Sequence, residues 1–138
     1  MQNYRNLLVW QKSHQLTLDV YAVTKTFPSY EQFGLTSQLR RASASIPINL
    51  AEGSGKFTNR EFRRFVNISF GSSNELEYEL LLSYDLHYLT EAEFIKLDAQ
   101  TKEVKRMLAG LINAISKKII ISCLCFLFIL ISCFFLTF

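Results

Sequence analysis

Leu16, Val20, Val23 and Phe27 recur at steps of three or four and predict a helix over roughly Val9 to Thr26 with one apolar stripe. Trp10, His14, Thr17 and Tyr21 lie beside that stripe. Pro28 ends the helix, because the residue before a proline is pushed out of helical geometry. Ser29 to Gly34 reads as a connector with room for one helical turn, and Gly34 suits its exit. Leu35, Leu39, Ala42, Ile46 and Leu50 mark a second helix, starting at Thr36 as N-cap and stopping near Gly53 or Gly55. Pro47 falls inside it and predicts a kink.

Thr58 with Glu61 forms a capping-box pattern for a third helix reaching about Leu89. Phe62, Phe65, Ser69, Ser72, Leu76, Leu80 and Ser83 follow one line along it. Phe70, Leu81, Tyr84 and Tyr88 widen its apolar surface, so it contacts two neighbours, and Gly71 is its weak point. Thr90 with Glu93 opens a fourth helix to about Lys117. Phe94, Leu97, Thr101, Val104, Leu108, Leu111 and Ile115 alternate steps of three and four, which is a heptad seam. Strand-like alternation is absent. The expected class is all-α: an antiparallel up-down four-helix bundle over residues 1–118, followed by an apolar C-terminal tail over 119–138.

Composition sharpens the division. The chain has 138 residues, enough for one core, with 5 glycines and 2 prolines. Ile119 to Phe138 contains no charged residue and holds all three cysteines, Cys123, Cys125 and Cys133. The body therefore has no thiol for a disulfide scaffold or a cysteine-ligated metal. It opens on the polar stretch Met1 to Asn6, without a secretory signal, so a cytoplasmic body is expected. The tail matches the roughly 30 Å of a bilayer core and follows Lys117 and Lys118, as in an inner-membrane tail anchor. An incidental extension after a complete domain, or a fourth helix prolonged into an oligomer, are the alternatives.

Catalytic chemistry finds no support. His14 and His87 make no Glu-x-x-His pair and read as packed or surface side chains. The glycines make no phosphate-binding pattern, and position suggests no Ser, His and Asp grouping. The expectation is a protein that is not an enzyme, with no cofactor and no metal site. More informative is the second helix, where Gln38, Arg41, Ser45, Asn49 and Glu52 form a polar stripe beside the apolar one. Amide, guanidinium, hydroxyl and carboxylate groups hydrogen-bond well across a half-buried surface, as a subunit interface or ligand groove requires. A solvated face is the plainer alternative.

Charge is segregated as well. Thr36 to Val66 carries a net +4, and Gly71 to Asp98 a net −6. Arg40, Lys56, Arg60, Arg63 and Arg64 are the candidate phosphate contacts, aided by the positive end of the third helix. Head-to-tail meeting of basic and acidic halves in a ring is a second reading, and a solvated dipolar surface a third.

Phe33-Gly34-Leu35-Thr36-Ser37-Gln38-Leu39-Arg40-Arg41-Ala42, Ser45 to Gly53, and Gly71 to Glu77 carry a recognisable pattern, together with the Trp10 region, Tyr21 and Phe27-Pro28. From Tyr4 to Lys118 the chain resembles the four-helix bundle proteins encoded in intervening sequences of bacterial 23S ribosomal RNA genes. These are similar to the accessory variability proteins of diversity-generating retroelements. The resemblance implies a bundle that assembles into a homopentameric ring and has no catalytic residues. It also implies a basic surface for RNA or DNA and a docking role toward a protein partner such as a reverse transcriptase. Arg41 and Glu75 match the motif, suit subunit contacts, and are expected to pair within or between subunits. The apolar tail departs from the family's usual ending. Three functions are carried forward: a nucleic-acid-binding oligomer, an interaction scaffold, and a membrane-anchored adaptor.

Overall fold

The computed structural model describes residues 3–136, and for 122–136 only the helical course of the backbone. The described residues are all-α, with four α-helices and no strand: α1 Leu8–Val23, α2 Leu35–Ser54, α3 Asn59–Asp85 and α4 Glu91–Leu136. Short 3-10 turns at Tyr4–Asn6, Thr24–Thr26 and Ser29–Glu31 complete the order.

The stripes meet as their spacing demands. Leu16 and Val20 of α1, Leu39, Ile46 and Leu50 of α2, Leu76 and Leu80 of α3, and Leu97, Val104 and Leu108 of α4 are all buried in one cluster. Each such side chain contributes roughly 1.5–3 kcal/mol by leaving water. Helix α3 packs on α2 and α4, and α1 packs on the same two. Side-chain pairs fix the register. Arg41 meets Glu75, Ser45 meets Ser72 and Ile46 meets Ser69, so partner numbers fall along α3 as they rise along α2. Glu77 meets Lys105 while Tyr84 stacks on Phe94, and Lys12 meets Glu103 while Asp19 meets Lys96.

The α2–α3 seam is close because its residues are small. A Cβ on Gly53 would stand 2.7 Å from Phe65 Cβ and 2.9 Å from the Phe62 ring. Ser69 Oγ donates to the Ile46 carbonyl at 3.0 Å across the same seam.

Several boundaries differ from the sequence expectation. Thr36 does not cap α2: it lies inside the helix, buried, and its hydroxyl has no partner among the described residues. The 3-10 turn before the helix delivers Glu31 instead, whose Oε2 accepts the Leu35 amide at 2.9 Å. Pro47 lies within α2, which continues through it to Ser54. Helix α3 stops at Asp85 rather than Leu89. His87 takes φ 60°, the Tyr88 amide donates to the Ser83 carbonyl at 2.9 Å, and the His87 amide donates to the Tyr84 carbonyl at 2.9 Å. That is a Schellman closure with histidine where glycine is usual.

The Thr90–Glu93 box closes in both directions, the Thr90 amide donating to Glu93 Oε2 at 2.8 Å, while at Thr58 the side-chain cap forms and the Glu61 carboxylate takes the Thr58 hydroxyl instead of its amide. Thr58 Oγ1 accepts the Glu61 amide at 3.2 Å, and Thr90 Oγ1 accepts that of Glu93 at 3.3 Å. Helix α4 runs past Lys117 to Leu136. Among the described residues no helix is long and apolar enough to cross a membrane. The expected anchor, Ile119 to Phe138, falls almost wholly on side chains outside the described residues.

Candidate nucleic-acid interface

Arg60, Arg63 and Arg64 follow the Thr58 cap, so the first two turns of α3 fix their spacing. Phe62 and Val66 turn inward to the core and hold the opposite face of the helix outward. The three arginines are exposed and line one shallow, open groove along a single face of α3 with Glu61, Asn67 and Ile68. None of the three makes an ion pair among the described residues. Glu61 is the one acidic side chain in the groove, and its Oε2 accepts the Thr58 hydroxyl at 2.7 Å.

Lys56 lies just before this turn. Its Nζ is 3.3 Å from Glu52 Oε1 and 4.9 Å from the centre of the Phe65 ring, so its charge is partly answered within the chain. It lines a smaller groove of about 150 Å³ with Phe57, Thr58, Asn59 and Phe62. Arg40 is not part of the patch. It lies on α2 fourteen positions before the last helical residue, Ser54, about 21 Å of helix away from that end. Its Nε donates to Thr24 Oγ1 at 2.8 Å and its Cζ lies 5.0 Å from the Tyr21 ring centre. Arg40 ties α2 to α1, an arrangement no local spacing reveals.

The polar stripe of α2 faces α3. Arg41 forms an ion pair with Glu75 within the chain. Ser45 and Ser72 share a hydroxyl hydrogen bond of 2.8 Å, and Asn49 Nδ2 donates to the Ser45 carbonyl at 2.8 Å. Glu52 holds Lys56, while Gln38 is exposed. The middle of the stripe thus stitches α2 to α3, and its outer edge stays at the surface.

Of the seven acidic residues from Gly71 to Asp98, Glu75, Glu77 and Asp98 form ion pairs among the described residues, and two further pairs, at Asp19 and Glu103, lie outside that stretch. Glu77 pairs with Lys105, Asp98 with Lys102 at 2.7 Å, Asp19 with Lys96 at 3.0 Å, and Glu103 with Lys12 at 3.1 Å. Burial raises the Asp19 pKa, but hydrogen bonds from Gln100, Lys96 and Gln15 outweigh it and hold the carboxyl below its usual value.

Sequence reading missed Glu79. It is buried on α3, and its Oε2 has no hydrogen-bond partner among the described residues. Burial first, then the charge of Glu75, push its pKa to about 7 against the pull of Arg41. The available signal was its spacing: Glu79 follows Glu75 by one turn and lies between the buried Leu76 and Leu80. Of the histidines, His14 stacks on Trp10 with ring centres 5.1 Å apart and planes at 6°, and His87 closes α3. Among the described residues no three His, Cys, Asp or Glu side chains gather as a metal would need.

The family model described as 23S rRNA-intervening sequence protein matches residues 5–110. A crystal structure from Bacteroides thetaiotaomicron, described as a protein with unknown function from the S23 ribosomal protein family, is similar in fold. Its TM-score is 0.71 at 24 % identity, over 76 % of this chain and 98 % of that one. No curated protein matches the sequence.

Proposed function

The chain belongs to the 23S rRNA-intervening sequence protein family, and from that premise we propose a non-enzymatic, nucleic-acid-binding bundle that works as a homo-oligomer. One observation carries the reading. Arg60, Arg63 and Arg64 line a single groove with no ion pair among the described residues, whereas Arg41, Lys56, Lys12, Lys96, Lys102 and Lys105 are each held by a carboxylate of the same chain. Unpaired guanidinium groups suit phosphate oxygens bidentately, and every phosphate they neutralise releases counterions.

In this reading the helices run up and down in antiparallel order, consistent with the falling partner numbers across each seam. The α2–α3 connection and the basic turn then share one end of the bundle. A five-membered ring, implied by the family resemblance, repeats that end about its axis and multiplies weak phosphate contacts by avidity. The outer edge of the α2–α3 flank supplies the subunit contacts, with Gln38 and the Arg41–Glu75 pair at its centre.

The test is filter binding of a structured RNA across a salt series, with assembly mass measured by light scattering. Binding should fall steeply with salt. Changing Arg60, Arg63 and Arg64 together to Ala should flatten the log–log slope by roughly two to three. Unchanged RNA retention in that variant would overturn the reading.

A second reading is a scaffold that docks a partner protein, a reverse transcriptase being the kind the retroelement resemblance implies. It is favoured by Ile48, Ile68 and Tyr78, all exposed on α2 and α3. Under it the triple arginine change leaves RNA irrelevant and alters partner capture or ring size.

A further inference from the structure

Phe57 is 95 % exposed, the most exposed of the large apolar side chains among the described residues. Burying a phenylalanine is worth roughly 1.5–3 kcal/mol, and Phe62 and Phe65 a few residues on are turned toward α2. Phe57 belongs to a connector of small and polar residues, Gly55-Lys56-Phe57-Thr58, not to an apolar ridge. It lines the small groove with Lys56, Thr58 and Asn59, and the arginine groove begins at the next residue, Arg60. From Asn59 to Arg64 the helix rises about 7.5 Å, on the order of two stacked nucleotides at about 3.4 Å each, with Phe57 just before it.

We infer that Phe57 is a stacking platform for an unpaired base, so that the basic groove takes single-stranded rather than duplex nucleic acid. The inference rests on the nucleic-acid reading above and narrows it to one ligand class. A duplex offers this surface its phosphates only, because its bases are stacked on one another. An unpaired base offers a free aromatic face, and every base has one, so recognition by Phe57 tolerates sequence. Asn59 brings an amide group to the same groove, where the edge of a stacked base would lie, while the Thr58 hydroxyl is held in the α3 cap. The arginines alongside hold the phosphates on either side of it.

The experiment measures binding of the full chain to labelled oligoadenylate, oligodeoxyadenylate and the oligoadenylate–oligouridylate duplex at fixed low salt. Wild type, Phe57→Ala, Phe57→Trp and the triple arginine-to-alanine variant are compared. The single strand should bind more tightly than the duplex. Phe57→Ala should weaken single-strand binding at least about fivefold, the low end for losing one stacking partner, and leave the duplex unchanged. Phe57→Trp should restore binding, which a merely structural role for Phe57 would not predict. The ribose and deoxyribose arms tell RNA from DNA.

Equal binding of strand and duplex, unaffected by Phe57→Ala but lost in the arginine variant, overturns the stacking platform and leaves the nucleic-acid reading standing. A loss on Phe57→Ala that falls equally on the duplex also overturns it. Binding of none of the three probes overturns both readings. A parallel arm with phosphatidylglycerol vesicles completes the set. Vesicle binding that requires Phe57, without oligonucleotide binding, assigns the surface to lipid and overturns the inference.

Discussion

The hydroxyl of Thr17 on α1 lies 2.9 Å from the carbonyl of Ser43 on α2, and that carbonyl is the one Pro47 leaves without an amide donor. Ser43 is fully buried, so an unanswered carbonyl there is costly. The same hydroxyl lies 2.9 Å from the Ser13 carbonyl of its own helix, so one proton serves two acceptors. The proline defect in one helix is thus repaired by a neighbour.

Thr17→Val keeps the shape and removes the donor. It should destabilise the fold by about 1–3 kcal/mol in urea denaturation. Pro47→Ala returns the missing amide to Ser43. The valine change should therefore cost clearly less in that background, and a double-mutant cycle with no coupling would refute the repair.

His87 closes α3 at φ 60°, a conformation that costs an L-residue roughly 1–2 kcal/mol and glycine almost nothing. His87→Gly should raise the unfolding midpoint by up to about 1 kcal/mol of stability. A lowered midpoint would show that the imidazole makes a contact outweighing the strain.

Glu79 gives the fold a pH dependence of opposite sign to that of an ordinary paired carboxylate. Its folded pKa, about 7, lies above the ordinary glutamate value of 4.5 that holds in the unfolded chain. Between these values the folded state binds more protons than the unfolded one. Stability therefore falls as pH rises from about 4.5 and levels off above about 7, with roughly 3 kcal/mol at stake. Glu79→Gln should be more stable than wild type at pH 8 and should flatten this part of the curve. Asp19 and Glu93 act the other way: their lowered pKa values contribute stability that is lost as pH falls through the acid range.

Two glycines separate local propensity from packing. Nothing stands within 4 Å of a Cβ placed on Gly71. Gly71→Ala should stabilise by about 0.5–1 kcal/mol. On Gly53 a Cβ would meet the Phe65 Cβ at 2.7 Å. Gly53→Ala should cost about 1–3 kcal/mol through forced separation of α2 and α3. Calorimetric midpoints moving in the same direction would contradict the packing described for that seam.

What the sequence determined is what neighbours along the chain settle. Steps of three and four bury Leu39, Leu76 and Leu108 whatever the partner helix is, and Thr58 and Thr90 reach their amides within three residues. Arg60, Arg63 and Arg64 share a surface because one helical turn places them there. Tertiary structure decided the rest, because the deciding partner is remote in the chain. Arg40, drawn to Thr24 and Tyr21, leaves the basic patch it was expected to join. The polar stripe of α2 meets Ser72 and Glu75, which turns half of an expected interface into an internal seam. Glu79 becomes a buried, unpartnered carboxyl only once another helix covers it, and Ser43 finds its donor only when α1 lies alongside. Periodicity states which face of a helix is covered; it carries no information about which residue of another helix does the covering.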